Sequence, residues 1–261
     1  MRYKIIFNKK DLEDQYKRLK TIENVAHYFD VSVSTIRKNF KYFDITFSKI
    51  NKLKLNDNFF GADSPESFYI AGFIAADGCV NNKELSIRLS SKDKKHLEKI
   101  NSILQSERSI RHYNNNYTGV SVLRICSKQI LNDLKRFNVV PRKSLIYSFP
   151  DWIKNHPLKN HFMRGYFDGD GSFYLQHQYN KKICFGLRGT VKFLIDYRSI
   201  LEKECEFPVR INAMPISGGC GLLGYGGNKN IIKISNFLYK DATIYLDRKK
   251  KIALKAEGLL K

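Results

Sequence analysis

Two nine-residue stretches decide how this chain folds: Ile70-Ala-Gly-Phe-Ile-Ala-Ala-Asp-Gly78 and Met163-Arg-Gly-Tyr-Phe-Asp-Gly-Asp-Gly171. Aligned without gaps, they share Gly72 with Gly165, an aromatic at Phe73 and Tyr166, Asp77 with Asp170, and Gly78 with Gly171. The aspartates lie 93 residues apart, room for one half-domain per copy. Ser64-Pro65-Glu66 is a helix start, a serine cap followed by proline in the first turn. Pro157 is expected to open the second helix in the same way. Each helix carries small residues four apart, Gly72 and Ala76 in one and Gly165 and Gly169 in the other, which lets two helix backbones approach closely. A glycine after each aspartate ends the helix. Packed in parallel, the two helices would deliver Asp77 and Asp170 to one end. Two carboxylates there, beside the negative ends of two helix dipoles, repel each other unless a cation sits between them. That suits Mg²⁺, which takes few protein ligands and completes its shell with phosphate oxygens.

Both stretches resemble the LAGLIDADG motif, and the likeness runs over residues 64–255. The resemblance implies an α+β fold: two αββαββα halves, 64–156 and 157–261, joined through the motif helices under a saddle of antiparallel sheets. It implies a homing endonuclease that hydrolyses both DNA strands with divalent metal, across the minor groove, leaving short 3′ overhangs. In that family the last aspartate of each motif binds the catalytic metals, here Asp77 and Asp170, with Ala76 and Gly169 beside them. The earlier motif aspartate is present as Asp168 and replaced by Ala75 in the first copy. Arg142-Lys143 and Arg248-Lys249 recur at similar offsets, and the resemblance carries a catalytic lysine to Lys143 and Lys249.

Downstream patterns repeat in the same order. Leu85–Ser90 alternates as a half-buried strand with Ser86, Arg88 and Ser90 on its open face. Helical periodicity spans Lys94–Leu104, a hairpin turns near Asn114–Asn116, and a helix covers Lys128–Phe137. The second half offers strands around Tyr179–Lys182, a helix over Val191–Glu204, a glycine-rich hairpin at 209–226 and a helix near Asn230–Tyr239. Ser172, Tyr174, Gln176 and Gln178 share one strand face, a surface suited to base edges in a groove. Asn81, Lys83, Ser86, Arg88 and Arg124 are the first-half candidates, and Arg188 and Arg210 join the second.

Residues 1–46 form a different kind of segment. Leu12, Tyr16 and Leu19 mark one helical face, Thr21–Phe29 a second short helix, and Ser32 caps a third in which Val33, Ile36 and Phe40 face inward. Ser34, Thr35, Arg37, Lys38 and Lys41 then face outward. This resembles a helix-turn-helix, with Asp30 where a turn glycine is common; aspartate tolerates the left-handed conformation. Residues 47–63 read as a linker.

Composition agrees. Lysine and arginine number 46 against 25 acidic residues, a net charge of +21 spread along the chain, as expected of a partner for double-stranded DNA. The 43% hydrophobic content is that of a folded protein. Cys79, Cys126, Cys184, Cys205 and Cys220 are odd in number with no C-x-x-C pair, which argues against a disulfide framework and a zinc site. No apolar run reaches membrane-spanning length, and the N-terminus lacks a secretory pattern, so the expected setting is intracellular. An intein is not expected, because Met1 and the closing Leu-Leu-Lys offer no splicing residues. The alternative on the same scaffold is a non-catalytic DNA-binding regulator or an RNA maturase, for which paired aspartates have no chemical use. With both halves in one chain, a monomer on an asymmetric site is expected.

Overall fold

The computed structural model describes residues 7–45, 53–114, 119–176, 182–208, 216–217 and 220–258. The chain divides into two compact units, residues 1–54 and 55–261, each with its own core.

The first unit is three helices: α1 (Lys9–Leu19), α2 (Ile22–Tyr28) and α3 (Val33–Tyr42). Each begins where a short polar side chain accepts a backbone N–H. Asn8 takes Asp11, Thr21 takes Asn24, and Ser32 takes Thr35. Leu12, Val25, Ala26, Ile36 and Phe40 close the core between them. Asp30 occupies the left-handed region, φ 51°, in the turn between α2 and α3, as its position in the sequence suggests.

The second unit starts before the first repeat. Residues 55–63 lie in the stretch read as linker, yet Phe60 is fully buried in this unit's core, stacked edge-on to Phe137. Helix α4 (Pro65–Asp77) follows, begun by a reciprocal cap in which Ser64 and Ser67 each accept the other's N–H. Then come β1 (Gly78–Val80), β2 (Leu85–Ser90), α5 (Lys94–Ile103), β3 (Arg111–Asn114), β4 (Gly119–Ile125) and α6 (Lys128–Asp133), which tightens into a 3₁₀ turn over Leu134–Phe137. The second half gives α7 (Lys159–Asp170), β5 (Gly171–Gln176), β6 (Lys182–Gly189), α8 (Val191–Glu204), β7 (Ile216–Ser217), β8 (Cys220–Gly226), α9 (Asn228–Tyr239) and α10 (Asp247–Gly258).

Both sheets are antiparallel with one strand order, β1-β2-β4-β3 and β5-β6-β8-β7. In each, alternate residues point into the core. Leu85, Ile87 and Leu89 do so in β2, while Ser86 is half-buried and Arg88 exposed. One expectation needs correction. Pro157 does not begin α7; the helix starts at Lys159, after Leu158, with no side-chain cap. Its first turn is fixed instead by tertiary contacts, Asn160 donating to the Lys240 carbonyl at 3.1 Å. The basic stretch after α9 forms a further helix, α10, whose Ala253 and Ala256 are buried.

Candidate active site

α4 and α7 pack backbone to backbone. A methyl group added at Gly72 would lie 2.1 Å from the Phe162 carbonyl oxygen, and one at Gly165 would lie 1.9 Å from that of Tyr69. Tyr69 and Phe162 occupy the same position relative to their own repeats, so the two contacts are reciprocal. At Gly169 an added methyl would meet the Ala76 methyl at 2.4 Å. The small residues singled out in the sequence are therefore the ones on the helix interface. The helices run in parallel and end together at Asp77 and Asp170.

The two carboxylates feel each other. Burial raises the pKa of Asp170 to about 6, and the charge of Asp77 adds to the rise. Burial also raises Asp77, opposed by Lys249 and Lys143. Both residues are nonetheless exposed to solvent at the helix ends. Lys143 and Lys249 are the reverse, long cations only 6% and 2% exposed. Burial lowers Lys143, while Asp170, Cys79 and Asp77 pull it back up. Lys249 falls to about 8 through burial, with Asp168, Asp77 and Asp170 opposing. Two carboxylates and two buried ammoniums thus share one end of the helix pair.

The lysines are not equivalent. Lys249 Nζ donates to the carbonyls of Phe167, Asp168 and Gly169 at 2.9, 2.6 and 3.2 Å, closing the last turn of α7. Lys143 Nζ has no hydrogen bond among the described residues. Beside Lys249, Asp168 is buried, its pKa raised by burial to about 6, and it accepts from Tyr69 Oη and from the Leu246 N–H, each at 2.8 Å.

The donor set fits a hard divalent cation. It offers carboxylate oxygens and the carbonyls of two helix ends, while no group of three or more His, Cys, Asp or Glu side chains gathers among the described residues. The cysteines are all free thiols.

Register sorts the groove candidates. Ser86 faces Arg124 across β2 and β4, and Arg88 and Arg111 flank Val122, placing Ser86, Arg88, Arg111 and Arg124 on one face. Arg88, Arg111 and Arg124 are exposed. Arg111, with Tyr113 on the same face, was not singled out from sequence; the signal was the alternating Arg-His-Tyr run, too short to stand out as a strand. Lys83 is exposed in the β1–β2 turn, where Asn81 Oδ1 accepts the N–H groups of Lys83 and Glu84, a structural use of that side chain. In the second sheet Ser172 opposes Gly186, which opposes Gly224, and Tyr174 opposes Cys184. Ser172, Tyr174, Gln176 and Arg188 are exposed, and Gln176 accepts from Cys184 Sγ at 3.4 Å. Gln178 and Arg210 lie outside the described residues. In the first unit Ser34, Arg37 and Lys38 are exposed and Thr35 half-buried, with the Ser34 and Thr35 hydroxyls bonded to Ser32 Oγ.

Residues 64–138 match the model of the LAGLIDADG-like domain. The same architecture recurs in the meganuclease I-SmaMI bound to uncleaveable DNA, at TM-score 0.53 and 13% identity over 76% of this chain and 90% of that one. It recurs in the LAGLIDADG meganuclease I-CpaMI bound to uncleaved DNA, at TM-score 0.50 and 15% identity over 76% and 90%. The fold is the LAGLIDADG fold. No curated protein matches the sequence. Both repeated stretches keep their final aspartate, and no helix among the described residues is long and apolar enough to cross a membrane.

One feature of α7 was not legible in the sequence. Arg164 is fully buried and donates to the Ile244 and Leu238 carbonyls at 3.0 and 2.9 Å, with its guanidinium 5.1 Å from the Tyr69 ring centre. A buried arginine spending its donors on main-chain carbonyls stitches the loop before α10 to α7.

Proposed function

We propose that this chain is a Mg²⁺-dependent, site-specific DNA endonuclease that makes a double-strand break in a long, asymmetric duplex. The observation that carries the reading is the convergence of Asp77 and Asp170, raised in pKa, at the joined ends of α4 and α7 with two buried lysines beside them. Carboxylates held beside each other repel, and such clusters gather where chemistry needs them. Two solved structures of the same fold are bound to DNA, which supports duplex DNA as the partner. The +21 charge supports it independently.

Asp77 and Asp170 would hold the cation, with the Ala76 and Gly169 carbonyls next to it; when bound, it supplies Lewis-acid stabilisation of the leaving oxygen and activates water for hydrolysis. The chain's own residues do the rest. Lys143 places a desolvated positive charge where negative charge grows on a phosphate, and so does Lys249 if it lends one of its donors. Arg88, Arg111 and Arg124 offer bidentate donors to guanine edges. Ser172, Tyr174, Gln176 and Arg188 offer a different face to the other half-site. Two unlike faces in one chain favour a monomer with an internal two-fold on an asymmetric target. The helices α1–α3 extend the footprint, with Ser34, Thr35, Arg37 and Lys38 toward the groove.

The test is cleavage of a plasmid library carrying randomised sites, with Mg²⁺, by the intact chain and by Asp77→Asn and Asp170→Asn. The expected result is a discrete set of cut sequences for the first and none for the variants. Full cutting by both variants removes the site assignment, and binding without cutting by the intact chain moves the protein to the regulator class.

A further inference from the structure

Asp168 has no counterpart in the first repeat, where Ala75 takes its place. It is 1% exposed and holds three partners. Its Oδ2 accepts from Tyr69 Oη and from the Leu246 N–H, both at 2.8 Å, and its Oδ1 accepts from Tyr239 Oη at 3.4 Å. Leu246 is the hinge of the arrangement. Its carbonyl accepts the N–H groups of Lys249 and Lys250 at 3.0 and 3.3 Å, forming the first turn of α10. Lys249 then sends its side chain back to the carbonyls of Phe167, Asp168 and Gly169, directly before Asp170.

A closed loop of bonds results, from the Asp168 carboxylate to Leu246, through one helical turn to Lys249, and back to the backbone of residue 168. Tyr69 belongs to α4, so the first half also holds the carboxylate. A tyrosine hydroxyl has one proton, and it goes to the carboxylate. His96 Nε2, 3.0 Å from Tyr69 Oη, must then carry its own proton and donate, leaving Nδ1 without a partner. Lys143 has no such support. It sits in a 3₁₀ turn after Arg142, which is strained into the left-handed region at φ 60°.

We infer that Asp168 is a positioning residue for Lys249, anchoring the first turn of α10 so that one of the two strand-cutting sites is pre-built and the other is not. The cutting readout rests on the nuclease reading above; the bonding readout does not.

The first measurement needs neither metal nor DNA: the side-chain ¹⁵N signals of lysine in the full chain, with Lys249 assigned through Lys249→Arg. An ammonium with all three donors bonded and almost no exposure gives a signal protected from solvent exchange. Asp168→Ala is expected to abolish that signal while the backbone amide spectrum stays dispersed. Asp168→Asn keeps an acceptor for Leu246 and is expected to retain it. A Lys249 signal unchanged in Asp168→Ala overturns the inference. The second measurement is strand-resolved cleavage of a duplex, chosen by the intact chain from a random library, with different labels at its two 5′ ends. Losing a hydrogen bond to a charged group is worth about tenfold or more in rate. Asp168→Ala is therefore expected to slow one strand by about that factor over the other, the same strand that Lys249→Met slows, with the double variant no slower there. Equal slowing of both strands shows a purely structural role and overturns the inference. If Asp168→Ala does not fold, Tyr69→Phe removes one bond to the carboxylate at nearly unchanged volume and is read on the same two scales, with the same strand bias expected. If the intact chain cuts nothing, the nuclease reading fails, and the lysine signal still decides the role of Asp168.

Discussion

Replacing Gly165 by alanine tests the helix pair on which the site stands. The new methyl would sit 1.9 Å from the Tyr69 carbonyl oxygen and 2.8 Å from the Phe73 nitrogen, both backbone atoms that no side-chain rotation can move. Ordinary contact needs at least about 3.4 Å, so α4 and α7 must separate by roughly 1.5 Å. Overpacking of this kind costs typically about 1–3 kcal/mol, and a backbone clash belongs at the top of that range. Alanine returns about 1 kcal/mol of helix propensity. The net loss is about 2 kcal/mol, which in a unit of this size lowers Tm by roughly 4–8 °C. Activity should suffer more than stability. Mg²⁺ demands oxygen ligands at about 2.1 Å in near-ideal geometry, and a shift of an ångström between Asp77 and Asp170 exceeds that tolerance. The assay is thermal unfolding by circular dichroism beside plasmid cleavage, with Gly224→Ala as the control, since a methyl there meets nothing nearer than 3.8 Å. A Gly165→Ala chain that melts with the wild type would refute the close approach of the two helices, and the reasoning built on it.

Other expectations follow from the charges and the turn. The raised carboxyl of Asp170 means that ionising it works against the fold. That penalty is present above a pH of about 6 and vanishes as pH falls toward the ordinary carboxylate range, so Asp170→Asn should melt higher than wild type at neutral pH and converge with it near pH 4. Thermal melts across that range check the sign. Lys249, lowered to about 8, loses its charge above that value, so cleavage should fall on the alkaline side and Lys249→Arg should lose that limb in a pH–rate profile. Asp30→Gly relieves a left-handed residue and should raise the first unit's Tm slightly, since the strain it removes is about 1–2 kcal/mol and the extra chain entropy offsets part of it. Arg124→Ala should relax preference at one target position by about 1–3 kcal/mol, read as broadened sequence among cut sites.

Much of the frame was legible because it rests on local rules. Gly72 and Gly165 announce close helix contact, Ser64-Pro65 announces a helix start, and the alternation over Leu85–Ser90 announces a strand with one wet face. Val191–Glu204 has its expected bounds because Thr190 caps it and its apolar spacing is regular. What escaped depends on partners distant in the chain. Pro157 has the right residue type for a helix start, yet the chain enters the helix two residues later. The helix that the run from Arg248 to Lys251 opens goes unread until Arg164 and Asp168 are seen holding the loop before it. Arg111 needed the register of β3 on β4 to show which way it faces.

The deepest illegibility concerns how Asp168 and Lys249 are held, and it has a physical cause. A buried carboxylate or ammonium costs several kcal/mol unless its hydrogen bonds are met, so such residues persist only where a particular surrounding supplies them. Asp168 is satisfied by a hydroxyl from α4 and an amide 78 positions along the chain, and Lys249 by three carbonyls at the end of α7. No spacing rule links these residues. Their bonds exist only once α7 and the segment that opens α10, both in the second half, have packed together, with Tyr69 adding one bond from the first half. The second lysine therefore reaches its place through the packing of two distant segments of its own half, whereas Lys143 arrives with the 3₁₀ turn of its own segment. A chain in which α10 docks incorrectly on α7 would keep Lys143 and lose Lys249, and so lose the support of one site before the other.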